Sequence, residues 1–394
     1  MDPSISLIIA IASILFLIRL KVNISFSIFI GAIILGFLTL GIKSVIQILI
    51  IISSLNTLRI VSIVILAFTL GYSMEYFGLL KRLASATQRM FGSFSVAILP
   101  ALFGFLPMPG GALISAVMIK DLVKEYEITP ETATYINYWF RHLWVAIWPL
   151  YPSLIIAIAI VNVNFVKVVE ADYIIAIAAI LAGLYFIKDL SLKFKWSISE
   201  LKQILISTYP IVVVALLGLV LKLDLLLTLL ISIFLLYIHK KPKLSDFTSI
   251  FKKTIDLKLI LLVMAVMSFR GLIEETNAAL TLFDHLNDVN IPIALAAFIL
   301  SFTIGFATGI EMSYTSIALP LLTIFTGISS SFNAANFMLV FAAGYLGVMV
   351  SPLHLCLVLT NEYYQSEIRG VYKKLIPSAL VLATIVLVYY VLVS

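Results

Sequence analysis

Glu311 stands in Thr308-Gly309-Ile310-Glu311-Met312-Ser313, a polar interruption of an apolar stretch over 291–325. A carboxyl group at membrane depth costs about 2.5–3.5 kcal/mol on insertion scales and marks a functional site by default. It can carry a proton or, ionised, hold sodium or a cationic solute. His354 follows Pro352 by two residues in another apolar stretch. Imidazole relays protons near neutral pH and binds solutes, although a histidine satisfied by its neighbours is an equal reading. Arg141, beside His142, lies deep within 131–160. Its guanidinium suits bidentate binding of a carboxylate or phosphate, neutralisation of Glu311, or snorkelling to the inner surface. Arg270 and Glu274, four apart on one helix face, are expected to pair locally.

Hydroxyl and amide groups surround these positions. Ser115, Ser313, Thr315, Ser316, Ser351 and Asn137 offer oxygen to sodium or a solute, and the same residue types also pack between membrane helices. Pro109, Gly110 and Gly111 close the sequence Pro107-Met108-Pro109-Gly110-Gly111, where backbone can approach a ligand closely. Trp148 and Tyr151 are expected to wall the pocket. The expected solute-binding set is therefore Pro109, Gly110, Gly111, Ser115, Arg141, Trp148, Tyr151, Ser313, Thr315, Ser316, Ser351 and His354. Glu311 and His354 are the expected coupling-ion residues.

The elements that position these residues follow from composition. Of 394 residues, 62% are hydrophobic and 12% charged, against about 45–50% and about 25% in soluble proteins. A soluble fold of this length cannot hide so much apolar surface. Soluble enzymes, nucleic-acid binders and disordered scaffolds are excluded, leaving an all-α polytopic membrane protein whose partners are lipid and a small solute. Cys356 is the single cysteine, so no internal disulfide forms. Neither HExxH nor GxxxxGK[ST] occurs, and the four histidines are dispersed. No enzyme, no ATP-driven pump and no cofactor beyond a coupling H+ or Na+ is expected.

A spanning helix needs about 20 mostly apolar residues. Ten segments qualify, near 4–20, 23–42, 57–76, 131–160, 171–187, 204–221, 224–239, 258–276, 336–361 and 376–393. The stretches 93–119 and 291–325 are broken by Pro107–Gly111 and Thr308–Ser313, and each is expected to form a re-entrant hairpin. Asp2 precedes the first apolar run while Arg19 and Lys21 follow it, so the N-terminus is placed outside on a retained span. Most of the basic residues then fall inside, including Lys120 and Lys124 after the first hairpin, with Lys43, Arg59, Lys167 and Lys222 outside. Both termini are expected outside the plasma membrane.

The chain also repeats. Gly71-Tyr-Ser-Met-Glu75 faces Gly271-Leu-Ile-Glu-Glu275, Gly104-Phe105 faces Gly305-Phe306, Ser115 faces Ser316, and Leu143–Leu154 faces Leu346–Leu357, at offsets near 200 residues. Each half, 1–190 and 191–394, reads as five spans with a hairpin (93–119 and 291–325) and a broken span (131–160 and 336–361, interrupted at Pro149 and Pro352). Five crossings are an odd number, so the second half is inverted. Inverted repeats with broken helices are the mark of secondary transporters that bind near the midplane. The free N–H ends at such breaks attract anions, and the free C=O ends attract cations.

This organisation resembles the ion transporter superfamily, which includes divalent-anion/sodium symporters, citrate–metal symporters and gluconate permeases. Phe105–Ala116 and Gly344–Thr360 are similar to the signatures of a prokaryotic, mainly archaeal, membrane family of unknown function within it. The tips carry Pro-Gly-Gly and Glu-Met-Ser in place of the Ser-Asn-Thr tips of the dicarboxylate branch. The resemblance implies a homodimer and an elevator-like movement of the hairpin-containing domain. The leading expectation is secondary active transport of a small organic anion. An ion channel, or an intramembrane enzyme using Glu311 and His354, remains the alternative.

Overall fold

The computed structural model describes residues 1–394 apart from 107–109, 189, 191–193 and 289–291, and among the described residues every regular element is helical. The first half runs α1 (Pro3–Arg19), α2 (Ile24–Leu40), α3 (Lys43–Ser53), α4 (Leu55–Tyr76), α5 (Leu79–Phe91), α6 (Ser95–Phe103), α7 (Gly111–Glu125), α8 (Pro130–Arg141), α9 (Pro152–Val161) and α10 (Phe165–Leu184). The second half runs α11 (Ile198–Ala215), α12 (Leu225–Lys240), α13 (Leu244–Thr254), α14 (Leu257–Thr276), α15 (Ala278–Asp288), α16 (Ile293–Thr308), α17 (Glu311–Ser313), α18 (Leu319–Leu321), α19 (Thr323–Thr326), α20 (Ala334–Met349), α21 (Leu355–Tyr364) and α22 (Ile368–Val393).

Polar residues between the apolar runs set the boundaries. Asp2, Asn23, Ser54, Thr129, Asn164 and Asp256 each accept a backbone N–H from the first turn of the helix that follows. Pro3, Pro130 and Pro152 occupy the first turn of their helices, where a missing N–H costs nothing. Among the described residues, three helices are long and apolar enough to cross a membrane by length and composition: Leu55–Tyr76, Ile198–Val220 and Ile368–Val393. Shorter apolar helices, including α1, α2 and α12, flank them. Ile8 and Phe16 of α1, Phe37 of α2, Phe234 of α12, and Leu380, Val388 and Val391 of α22 stay exposed. That much exposed apolar surface suits lipid rather than water, and the chain is a membrane protein.

Four short helices, α3, α5, α13 and α15, lie outside the ten expected spans. In α5, Leu79, Leu80, Leu83, Ala86, Thr87 and Met90 are buried while Lys81 and Arg82 face out. Such amphipathic helices are too short and too charged to qualify as spans. The return arm of 291–325 also departs from a simple short helix. It is a chain of α17, a π-helical turn (Tyr314–Ala318), α18 and α19. Leu319 N–H reaches back five residues to the Tyr314 carbonyl, and Pro320 has no N–H to restore the α register.

The halves exchange partners. Helices α1, α2 and α3 pack on α15, α14 and α14, while α11, α12 and α13 pack on α5, α4 and α4. Arg59 pairs with Asp224 across α4 and the start of α12, and Arg89 with Glu200 across α5 and α11 at 2.8 Å. Close backbone contacts recur at matching positions. A Cβ on Gly104 would stand 2.3 Å from the Arg141 carbonyl, and one on Gly305 would stand 2.4 Å from the Gly344 carbonyl. Gly104→Ala and Gly305→Ala should therefore each cost about 1–3 kcal/mol through backbone displacement. Thermal unfolding in detergent measures it, and an unchanged midpoint in both variants would show that these contacts are not tight.

Candidate functional site

The two interrupted helices are also the most deeply enclosed. Ala133–Arg141 of α8 and Phe337–Met349 of α20 are buried without a gap, as irregular backbone at membrane depth requires. After Arg141 the chain turns through 142–151 before α9, and after Met349 it turns through 350–354 before α21. Pro149 and Pro352 fall within these turns.

The carbonyls at the breaks, expected to be free for cations, are already engaged. Tyr151 Oη donates to the Arg141 carbonyl (3.2 Å) and Tyr345 Oη to the His142 carbonyl (3.1 Å). Tyr138 Oη donates to the Met349 carbonyl (3.1 Å) and Tyr372 Oη to the Val350 carbonyl (3.0 Å). The hairpin arms end in the same way. Trp144 and Trp148 donate their indole N–H to the Ala101 and Phe105 carbonyls (2.8 and 2.7 Å), and Ser351 Oγ donates to the Phe306 carbonyl (2.6 Å). Trp148 and Ser351 are thus matching positions of the two halves serving matching carbonyls.

The glycines of the tips let backbone and guanidinium pack closely. Gly110 and Gly309 adopt left-handed φ of 70° and 63°, a conformation that costs glycine little. A Cβ on Gly111 would stand 2.0 Å from Arg141 Nη2, and one on Gly309 would stand 2.6 Å from His354 N. Pro109 lies outside the described residues. Asn137 donates to the Ala112 carbonyl (3.0 Å) and to Thr360 Oγ1 (3.1 Å), joining α7 to α21.

A cavity of about 380 Å³ opens where these pieces converge. Its walls come from Arg141, His142, Tyr151 and Pro152 at the first break, His354, Leu355 and Cys356 at the second, Gly309–Met312 at the second tip, and Phe68, Leu106, Asp256 and Leu259. Of the expected residues, Arg141, Tyr151, Glu311 and His354 meet here. The others are spent locally. Ser115 Oγ donates to the Ala112 carbonyl, Ser313 Oγ to the Ile310 carbonyl and Thr315 Oγ1 to the Met312 carbonyl. Ser316 is buried outside the cavity wall, with no hydrogen-bond partner for Oγ among the described residues. Arg270 donates from Nε to Glu274 at 2.8 Å and from Nη1 to the Ala159 carbonyl at 2.7 Å, so it closes the end of α9.

Three cavity residues with ionisable side chains were not among the expected set: His142, Cys356 and Asp256. His142 Nε2 lies 3.5 Å from Glu311 Oε1, and its Nδ1 lies 2.6 Å from the Tyr138 carbonyl. A carbonyl only accepts, so Nδ1 carries the hydrogen, and the neutral form of His142 would turn the lone pair of Nε2 toward the carboxyl group. Two lone-pair atoms facing each other require a proton or another cation between them. Cys356 lies in the first turn of α21. Arg141 Nη1 is buried with no hydrogen-bond partner among the described residues. A further buried acid, Asp172 in α10, has no partner for either oxygen among the described residues and lies away from the cavity wall. In the sequence it follows Lys167 and Glu170 at the head of an apolar run.

The chain belongs to a family described as a protein of unknown function (DUF401), whose model matches residues 2–393. No curated protein matches it. The fold is that of a solved structure, the YdaH transporter of Alcanivorax borkumensis, titled as having an unusual topology. The two share 14% sequence identity and a TM-score of 0.64, covering 99% of this chain and 98% of that one.

Tyr138→Phe removes the hydroxyl from the Met349 carbonyl while leaving the backbone carbonyl that orients His142. An unmet buried carbonyl costs about 1–3 kcal/mol. The midpoint of thermal unfolding in detergent should fall accordingly, and an unaltered midpoint would show that this cap is dispensable.

Proposed function

We propose that the chain is a secondary active transporter of a small organic anion, coupled to H+ or Na+. The observation that carries this reading is the cavity between the two breaks, with Arg141 in its wall and the buried Nη1 of that guanidinium without a hydrogen-bond partner among the described residues. A buried guanidinium with unused donor capacity favours an anionic occupant, and Glu311 beside it would need a bound cation when that anion is present. The helices leading away from both breaks, α9 and α21, begin at the cavity and aim the positive ends of their dipoles at it. The fold shared with the YdaH transporter fits the same reading.

On this reading the halves 1–190 and 191–394 are inverted repeats of five spans, within the ion transporter superfamily. Support comes from the exchanged helix partners and the matching contacts of Gly104 with Gly305 and of Trp148 with Ser351. The coupling cation sits at Glu311 and His354. The protein works as a homodimer in the plasma membrane with both termini outside, and the hairpins move against a scaffold in an elevator-like cycle.

Purified protein in liposomes should accumulate a small organic acid only under an inward H+ or Na+ gradient. Arg141→Lys should lower uptake about tenfold or more, since the bidentate contact is lost. Absence of gradient-driven uptake across mono-, di- and tricarboxylates would overturn the proposal. A Glu311→Gln variant that keeps full cation dependence would remove Glu311 from coupling.

A further inference from the structure

We propose that His142, His354, Cys356 and Glu311 form a binding site for a borderline-soft divalent metal ion of the Zn2+ class in the wall of the cavity. Its place beside a transported anion rests on the proposed function, whereas the coordination itself does not. One ligand atom each from His142, His354 and Cys356 lies within 4.8 Å of the others. Zn–N and Zn–S bonds of about 2.0–2.3 Å put tetrahedral ligand atoms roughly 3.5 Å apart, so closure asks for side-chain shifts of about 1 Å. His142 Nε2 and Glu311 Oε1 stand 3.5 Å apart, and the carboxylate would reach the fourth corner by turning from His142 toward His354 and Cys356.

The orientation of the histidines favours a metal over mere packing. Metal-binding imidazoles characteristically give their other N–H to a carbonyl or carboxylate, which fixes the tautomer and aims the lone pair. His142 makes this contact with the Tyr138 carbonyl at 2.6 Å. His354 stands edge-on to His142, with ring centroids 5.0 Å apart, and its buried Nδ1 has no hydrogen-bond partner among the described residues. A buried polar atom without a partner costs free energy that ligation would offset. The donors come from three elements: the end of α8, the start of α21 and the second hairpin tip. Two imidazoles and a thiolate select Zn2+ or Co2+ over Mg2+ and Ca2+, which prefer oxygen. The cysteine proton leaves to solvent as the metal binds, and Arg141 beside Cys356 and Glu311 offsets their negative charge.

The test uses the full chain in detergent, stripped with a chelator and dialysed against Co2+ or Zn2+. About one equivalent should remain bound per chain. Bound Co2+ should show a thiolate charge-transfer band, which only Cys356 can supply because the chain has no other cysteine. Cys356→Ser should abolish that band, and its unfolding midpoint in chelator should match that of the unmodified chain. His354→Ala should weaken binding about 100-fold, and excess Mg2+ or Ca2+ should not compete. Failure to retain either metal, or Co2+ binding without the thiolate band, overturns the site. Retained metal with no gradient-driven uptake upholds the site and sinks the transport reading. Uptake without metal binding does the reverse.

Discussion

Peptide groups released by a helix break have no water to bond to within a membrane, and the rest of this structure depends on how they are satisfied. Two spans are interrupted at depth, and at each interruption the released carbonyls find a side-chain donor. Tyr138 serves the second break from the first half, and Tyr345 serves the first break from the second half. The hairpin arms use Trp144 and Trp148 on one side and Ser351 on the other. A buried peptide group without a partner costs about as much as several methylenes gain by burial. These donors are therefore conditions for having the breaks at all. They also direct the site's chemistry: with these carbonyls occupied, the polar groups left at the cavity are side chains and the N-terminal ends of α9 and α21.

Those side chains come from segments far apart in the sequence. Arg141 and His142 end one helix, His354 and Cys356 open another, and Glu311 begins the return arm of a hairpin. None of the three segments alone holds a charge in a useful place. Their convergence puts a guanidinium, two imidazoles, a thiol and the Glu311 carboxyl group around about 380 Å³, with the Asp256 carboxyl group also in the wall. Helices α4 and α14 contribute Phe68 and Leu259 to the same wall.

Much of this was legible in the sequence. Apolar length marked most of the long helices, and Pro149 and Pro352 marked the breaks. Glu311, Arg141 and His354 stood out because ionisable groups are rare in apolar runs, and they do meet. Other expected residues lie outside the cavity wall for a physical reason. A serine or tryptophan beside a break has the same appearance whether it faces a ligand or closes a carbonyl, and Trp148 and Ser351 do the latter. His142 and Cys356 escaped because only the packing of α8 on α21 brings them together. The amphipathic helices α5 and α13 carry a helical apolar stripe, but a search for uninterrupted apolar length passes over it.

Helix α16 meets α20 backbone to backbone. Gly305 rests on the Gly344 carbonyl, Gly347 rests on the Phe302 carbonyl, and Gly309 abuts Leu353 and His354. Where side chains interdigitate, helices can slip by changing rotamers. Here bare main chain bears on bare main chain, as in small-residue membrane interfaces, and no rotamer is available to give way. The second hairpin and the second broken span are thus geared without backlash. A displacement of the Gly309 backbone would therefore be passed directly to His354 in the cavity wall.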